Sequence, residues 1–140
     1  MNNINFGRAL LGGLFAGLVL NIGEFLLNEV VLAKQMEEFF RKVQVPPPGG
    51  SFIALAVIMT FILGIVLVVL YALIRPRLGP GPKTAVIAAL VLWFGVYLYT
   101  GIINGVLLAI PLNLIVIGMV WGLVEYIIGA IAGAWYYRES

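Results

Sequence analysis

Cysteine and histidine are both absent from this 140-residue chain, and charged residues make up only 10% of it. Without thiols or imidazoles there is no disulfide, no thiolate metal centre, no haem ligation by Cys or His, and almost no imidazole or thiol catalysis. The sequence also lacks a Gly-x-Ser-x-Gly elbow, a Walker loop and a glycine fingerprint following a strand, so an enzyme is not expected. A metal site made of two glutamates and no other strong ligand would be poor, and neither a metal nor a cofactor is expected.

What is abundant is apolar. Hydrophobic residues make up 63% of the chain and the mean hydropathy is +1.12, whereas a soluble domain carries about a quarter charged residues. The net charge of +2 and a pI near 9.1 do not point to nucleic acid. The basic residues flank apolar stretches, where Lys and Arg orient membrane spans. Four such stretches, at 7–32, 51–74, 84–108 and 112–137, each exceed the roughly 18 residues that mark a span. Hydrocarbon leaves no water to satisfy an open backbone, so these segments should be helices. The expected fold class is all-α: a single membrane domain over residues 1–140, a transmembrane bundle of four helices with a short amphipathic interfacial helix between helices 1 and 2.

The first stretch begins at Gly7 and is too long for a signal-peptide core, so it reads as a retained helix. Asn2 and a terminus without Cys leave no lipidation motif. Segment 33–45 is the amphipathic one. Met36, Phe39, Phe40 and Val43 fall on one side, and Glu37, Glu38, Arg41 and Lys42 on the other. Glu37 with Arg41 and Glu38 with Lys42 form i,i+4 pairs in the favourable order. Pro46-Pro47-Pro48-Gly49-Gly50 ends this segment. The stretch from Arg75 to Lys83, with Pro76, Gly79, Pro80, Gly81 and Pro82, reads as the loop between the second and third spans. Residues 109–113 form a connection short enough to make the last two spans antiparallel neighbours.

Four spans place both termini and the second loop on one side. That side carries Arg8, Arg75, Arg77, Lys83 and Arg138, against Lys34, Arg41 and Lys42 accompanied by Glu37 and Glu38 on the other. The bias predicts cytoplasmic N- and C-termini, with Trp93, Trp135, Tyr136 and Tyr137 as interface anchors on that side. Arg75, Arg77 and Lys83 are also candidates for lipid headgroup contacts.

Two stripes stand out within the spans. Gly13, Gly17, Asn21, Glu24 and Asn28 share about 80° of the first helix, and Gly118, Gly122, Glu125, Gly129 and Gly133 share a similar arc of the last. Small residues at this spacing, here Gly13, Gly17, Gly118, Gly122, Gly129 and Gly133, let helices approach closely in lipid. Thr60 and Gly64 suggest a similar contact in the second span. Each stripe also contains a carboxylate, and the third helix adds Trp93, Tyr97, Thr100 and Asn104 on one face. Glu24 lies about 6 Å to the outer side of its helix midpoint, a depth compatible with Thr100 and Glu125. The expectation is an intramembrane polar cluster of Asn21, Glu24, Asn28, Tyr97, Thr100, Asn104 and Glu125. Glu29 reads as an interfacial charge. A charged group at a span centre costs on the order of 2.5–3.5 kcal/mol on insertion scales, so such residues are kept for a reason.

The run Tyr71-Ala72-Leu73-Ile74-Arg75-Pro76-Arg77-Leu78-Gly79-Pro80-Gly81-Pro82-Lys83-Thr84 resembles a loop of a group of uncharacterised bacterial four-helix membrane proteins. Asn21-Ile22-Gly23-Glu24-Phe25-Leu26-Leu27-Asn28-Glu29 is similar to the first helix of that group. The resemblance implies a bacterial cytoplasmic (inner) membrane and carries no activity. Small multidrug transporters resemble the chain in helix number and in a first-helix glutamate, but the residues around Glu24 do not reproduce their pattern. The fluoride-channel family shares a short stretch like Asn21 to Phe25, yet its Thr-Thr-Phe-Ser signature is missing.

Two readings of function follow. In the first, the chain is a small structural or accessory membrane protein whose polar cluster holds helices together. In the second, it is a proton- or cation-linked transporter or channel subunit using Glu24 and Glu125. Binding of a cofactor or partner helix is a third use of the cluster. The expected partners are the lipid bilayer and either further copies of the chain or a larger membrane complex.

Overall fold

The computed structural model describes residues 4–46 and 48–137. Asn2, Pro47 of the proline run and Arg138 of the basic set lie outside the described residues. Every regular element is helical: α1 (Phe6–Leu26), a π-helical turn (Leu27–Val31), α2 (Ala33–Lys42), α3 (Gly50–Leu78), α4 (Pro82–Trp93), a second π-helical segment (Phe94–Tyr99), α5 (Thr100–Leu107) and α6 (Leu112–Tyr136). Among the described residues, four continuous helical stretches are long and apolar enough to cross a membrane: Phe6–Val31, Gly50–Leu78, Pro82–Leu107 and Leu112–Tyr136. The chain is a multi-pass membrane protein.

Local chemistry sets the ends of these helices. The Asn5 side chain caps α1 by accepting from the Arg8 N–H at 3.1 Å. Pro82 opens α4 in the first turn, where its missing N–H costs nothing. The linker predicted over Arg75 to Lys83 is much shorter than that. Helix α3 continues through Pro76 to Leu78, and only Gly79–Gly81 separate it from α4. Pro76 sits in the last turn, where a single i→i−4 bond is lost. Gly79 (φ 88°) then stops the helix, its N–H donating to the Arg75 carbonyl at 2.7 Å. The Tyr71 hydroxyl accepts from the Gly81 N–H at 3.0 Å, and Thr84 Oγ1 donates to the Gly79 carbonyl at 2.6 Å. These bonds hold the tight turn from below.

Helix α1 runs between α3 and α6, antiparallel to both, and glycine makes the approach possible. A Cβ at Gly13 would lie 2.5 Å from the Ile65 Cα, and one at Gly17 would lie 2.9 Å from the Phe61 Cα. On the other face, a Cβ at Gly12 would lie 2.6 Å from the Gly133 carbonyl oxygen. The buried centre is correspondingly lean, built on Ala9, Ala16, Ala85, Ala88, Ala89 and Ala130 around Leu20, Leu67, Val68 and Tyr126. The N-terminal third of α3, including Phe52, Ile53, Leu55 and Ile58, is exposed on all sides, an apolar surface suited to lipid.

Helix α2 follows the first span after a break at Leu32. Met36, Phe39 and Phe40 are half-buried, while Glu37, Glu38, Arg41 and Lys42 are exposed. Arg41 pairs with Glu37 at 3.4 Å, the one ion pair among the described residues, so the Glu38–Lys42 pair does not form. Val43 is exposed in the turn after the helix rather than on its apolar side. Beneath α2, Leu27, Leu32 and Leu114 form a second small core with Met36, Ile110 and Trp121.

Candidate functional site

Glycines at two positions open the space in which the acidic side chains sit. A Cβ at Gly23 would lie 2.7 Å from Glu125 Cγ and 2.8 Å from its Cδ, so the Glu125 side chain occupies the room this glycine leaves on α1. A Cβ at Gly122 would lie 2.7 Å from the Tyr97 ring, so the tyrosine lies flat on α6 at that point. From there the Tyr97 hydroxyl donates to the Glu24 carboxylate. Asn28 Nδ2 donates to the same carboxylate at 3.4 Å and to the Glu24 carbonyl at 2.9 Å. The Tyr97 and Tyr126 rings meet edge to face at 5.3 Å, and Trp121 Nε1 donates to the Gly23 carbonyl at 2.9 Å.

Glu24 and Glu125 are thereby neighbours, close enough to interact directly. Their surroundings differ. Glu125 is 5% exposed, and its carboxyl has no hydrogen-bond partner among the described residues other than the Glu24 carboxyl beside it. Glu24 is half-buried and lines a cleft of about 310 Å³. The cleft lies between the first span on one side and the third and fourth on the other. Asn28, Tyr97, Thr100 and Asn104 give it a polar wall, and Leu27, Leu32, Met36, Phe39, Ile110, Leu114, Ile115 and Met119 an apolar one. No basic residue lines it. A second cavity of about 340 Å³, under α2 and the turn at 108–113, shares Phe39 and Leu114 with the first and carries Glu38 and Lys42 on its rim.

Both π-helical turns fall at this site. One begins three residues after Glu24, and the other contains Tyr97. A π turn inserts one residue into the helical ladder and is often found where a helix serves function. Thr100 Oγ1 donates to the Gly95 carbonyl, five residues back, at 3.0 Å and so satisfies part of the widened turn.

Of the predicted polar cluster, Glu24, Asn28, Tyr97 and Glu125 come together, and Thr100 and Asn104 line the approach. Asn21 does not join them. Its Nδ2 donates to the Gly17 carbonyl at 3.0 Å and the Val57 carbonyl at 3.4 Å, on the face turned to α3. Among the predicted packing glycines, Gly13 and Gly17 meet α3, while Gly129 and Gly133 meet α1 at Leu20 and Ala16. Gly118 is different. A Cβ there would meet nothing within 4 Å, and the residue borders the cleft. Gly122 makes room for a ring rather than a helix backbone. Gly64 packs on α1, whereas Thr60 bonds within its own helix to the Ala56 carbonyl at 2.7 Å.

At the far end, Arg75 lies 5.8 Å over the Tyr137 ring, and Arg77 and Lys83 are exposed. Tyr137 is buried rather than an interface anchor: its hydroxyl accepts from the Asn5 N–H at 3.1 Å and its ring meets Tyr71 at 6.0 Å. Trp93 likewise turns inward, donating to the Met119 carbonyl at 2.9 Å, while Trp135 and Tyr136 stay exposed. Glu29 is exposed in the first π turn.

Gly12, Gly23, Trp121 and Tyr126 also shape the site and its packing, although no sequence pattern singled them out. Gly23 and Tyr126 are direct chain neighbours of the two glutamates, and Trp121 precedes Glu125 by one helical turn, so adjacency was the available signal. Comparisons with family models, with curated proteins and with solved structures gave no match.

Proposed function

We propose that this chain is a helical-bundle protein of a bacterial inner membrane that moves or exchanges protons or cations through the Glu24–Glu125 carboxyl pair. Helix α2 lies along the outer membrane surface beside the mouth of the cleft, and the termini are cytoplasmic, in keeping with the Arg and Lys bias. The observation that carries this reading is the asymmetry of the pair. Glu24 is reached from the α2 side through the cleft, while Glu125 is buried behind it with the Glu24 carboxyl as its partner. A purely packing role asks for closed, fully bonded contacts, since an unpaired buried polar group is destabilising.

In this scheme Glu24 takes up the proton or cation from the cleft, and Tyr97 and Asn28 hold its carboxylate in place. Glu125 supplies a second acceptor deeper in the membrane. Further copies of the chain complete a pathway, since four helices enclose little space.

The test is flux in proteoliposomes that carry a pH-sensitive dye and the purified protein. The wild type should dissipate an imposed pH gradient. Glu24→Gln and Glu125→Gln should each slow this at least tenfold while keeping the helical circular dichroism spectrum. If no wild-type flux is seen and Glu24→Gln only lowers the melting temperature, the accessory reading replaces this one.

A further inference from the structure

The cleft that leads to Glu24 is amphipathic in cross-section, and this bears on what occupies it. Along the first and third spans, polar side chains descend from the mouth inward. Asn104 lies three residues from the end of its span and Asn28 three from the end of its own, with Thr100 deeper and Glu24 seven residues in, about 10 Å below the span end. Facing this ladder is a wall of Leu27, Met36, Phe39, Leu114 and Met119. A bare proton has no use for such a wall. An inorganic divalent cation asks for six or more oxygen ligands, and no group of three His, Cys, Asp or Glu that could hold a metal exists among the described residues.

Charge then selects the polar end of the occupant. The one ionisable side chain lining the cleft is the Glu24 carboxyl, and no Lys or Arg lines it to receive an anion. Asn104, near the mouth, makes no side-chain hydrogen bond among the described residues, so its amide oxygen is free to accept one. The Tyr97 and Phe39 rings border the same space, and aromatic faces attract organic cations. The volume, about 310 Å³, is at the small end of ligand sites, which run to about 1,000 Å³. One short alkyl chain matches it better than the two tails of a bilayer lipid.

We infer that the cleft binds a single-chain amphiphile with an ammonium head, the head at Glu24 and the chain along the apolar wall under α2. This rests on the reading of Glu24 and Glu125 as a cation site and adds the class of cation. Thr100 and Asn104 are exposed at the edge of the cleft, so the ligand enters sideways from the membrane as well as from the α2 surface.

The experiment is isothermal titration of the protein in phosphatidylcholine nanodiscs, corrected with empty discs, using octylammonium, butylammonium and octanoate. Octylammonium should saturate at one per chain, butylammonium should bind at least fivefold more weakly, and octanoate should show no saturable binding. Glu24→Gln should weaken octylammonium at least tenfold. Gly118→Leu, which fills the cleft from a position with open space around it and leaves both acids in place, should do the same without lowering the melting temperature. The inference is overturned if octanoate binds as well as octylammonium, if uptake never saturates above that of empty discs, or if both variants keep the wild-type Kd. Saturable octylammonium binding without flux in proteoliposomes would remove the transport reading alone. Glu24-dependent flux without octylammonium binding would remove the ligand class alone.

Discussion

Between Asn5 and Leu20 the first span meets its neighbours through Gly12, Gly13, Ala16 and Gly17; between Gly23 and Leu32 it meets them through Glu24, Leu27 and Asn28. In the first region backbones nearly touch and the contact is closed, down to the Tyr137–Asn5 hydrogen bond and the Arg75–Tyr137 stacking at its end. In the second the helices stand apart, larger side chains reach across, and a cleft remains. The same helix thus acts as a seal over half its length and as the wall of a cavity over the rest. Side-chain size along one face decides where the change occurs.

This contrast can be broken most severely in the sealed half. Gly64→Ile would place a branched side chain where a Cβ is already 2.6 Å from the Gly13 carbonyl oxygen and the Gly17 Cα. Overpacking of that kind costs about 3 kcal/mol, the upper end of the usual range. It should appear as a large fall in thermal midpoint in detergent, followed by circular dichroism. A smaller effect is expected at the junction of the halves. Tyr97→Phe removes the hydroxyl that donates to Glu24, a hydrogen bond worth about 0.5–1.5 kcal/mol; the same melting experiment reads it, and an unchanged midpoint would mean the bond is not made. The smallest effect is expected in the open half. Gly118→Ala meets no neighbour, and alanine's helix preference should raise stability by up to about 1 kcal/mol. If Gly118→Ala destabilises as strongly as Gly64→Ile, the two halves are not packed differently.

Much of this architecture was legible in the sequence because lipid simplifies the problem. Four long apolar runs have no alternative to helix, and the alternation of Met36, Phe39 and Phe40 with Glu37, Glu38, Arg41 and Lys42 is a plain helical pattern. The proximity of Glu24, Asn28, Tyr97 and Glu125 followed from shared faces and depths. Asn21 was misplaced because the arc is divided along the helix and not across it: Gly13, Gly17 and Asn21 span its full width and all meet α3, and only beyond them do Glu24 and Asn28 open onto the cleft. The π turns had no signature: Leu27–Val31 and Phe94–Tyr99 are as apolar as the α-helical residues around them. The passage of α3 through Pro76 was hidden for another reason. A proline in the last turn forfeits one hydrogen bond, and the stop is set by Gly79 three residues later.

The π segment at Phe94–Tyr99 has a geometric consequence of its own. An extra residue in the ladder advances everything beyond it by about 100° relative to a continuous α-helix. Remove one residue from this stretch and α4 keeps its seat against α6, while the C-terminal portion of the span rotates as a unit. Thr100 and Asn104 would swing away from the cavity toward hydrocarbon, and an aliphatic neighbour would take their place. The polar character of that wall is therefore stored in backbone phase, one residue of surplus, and side-chain identity alone does not determine it.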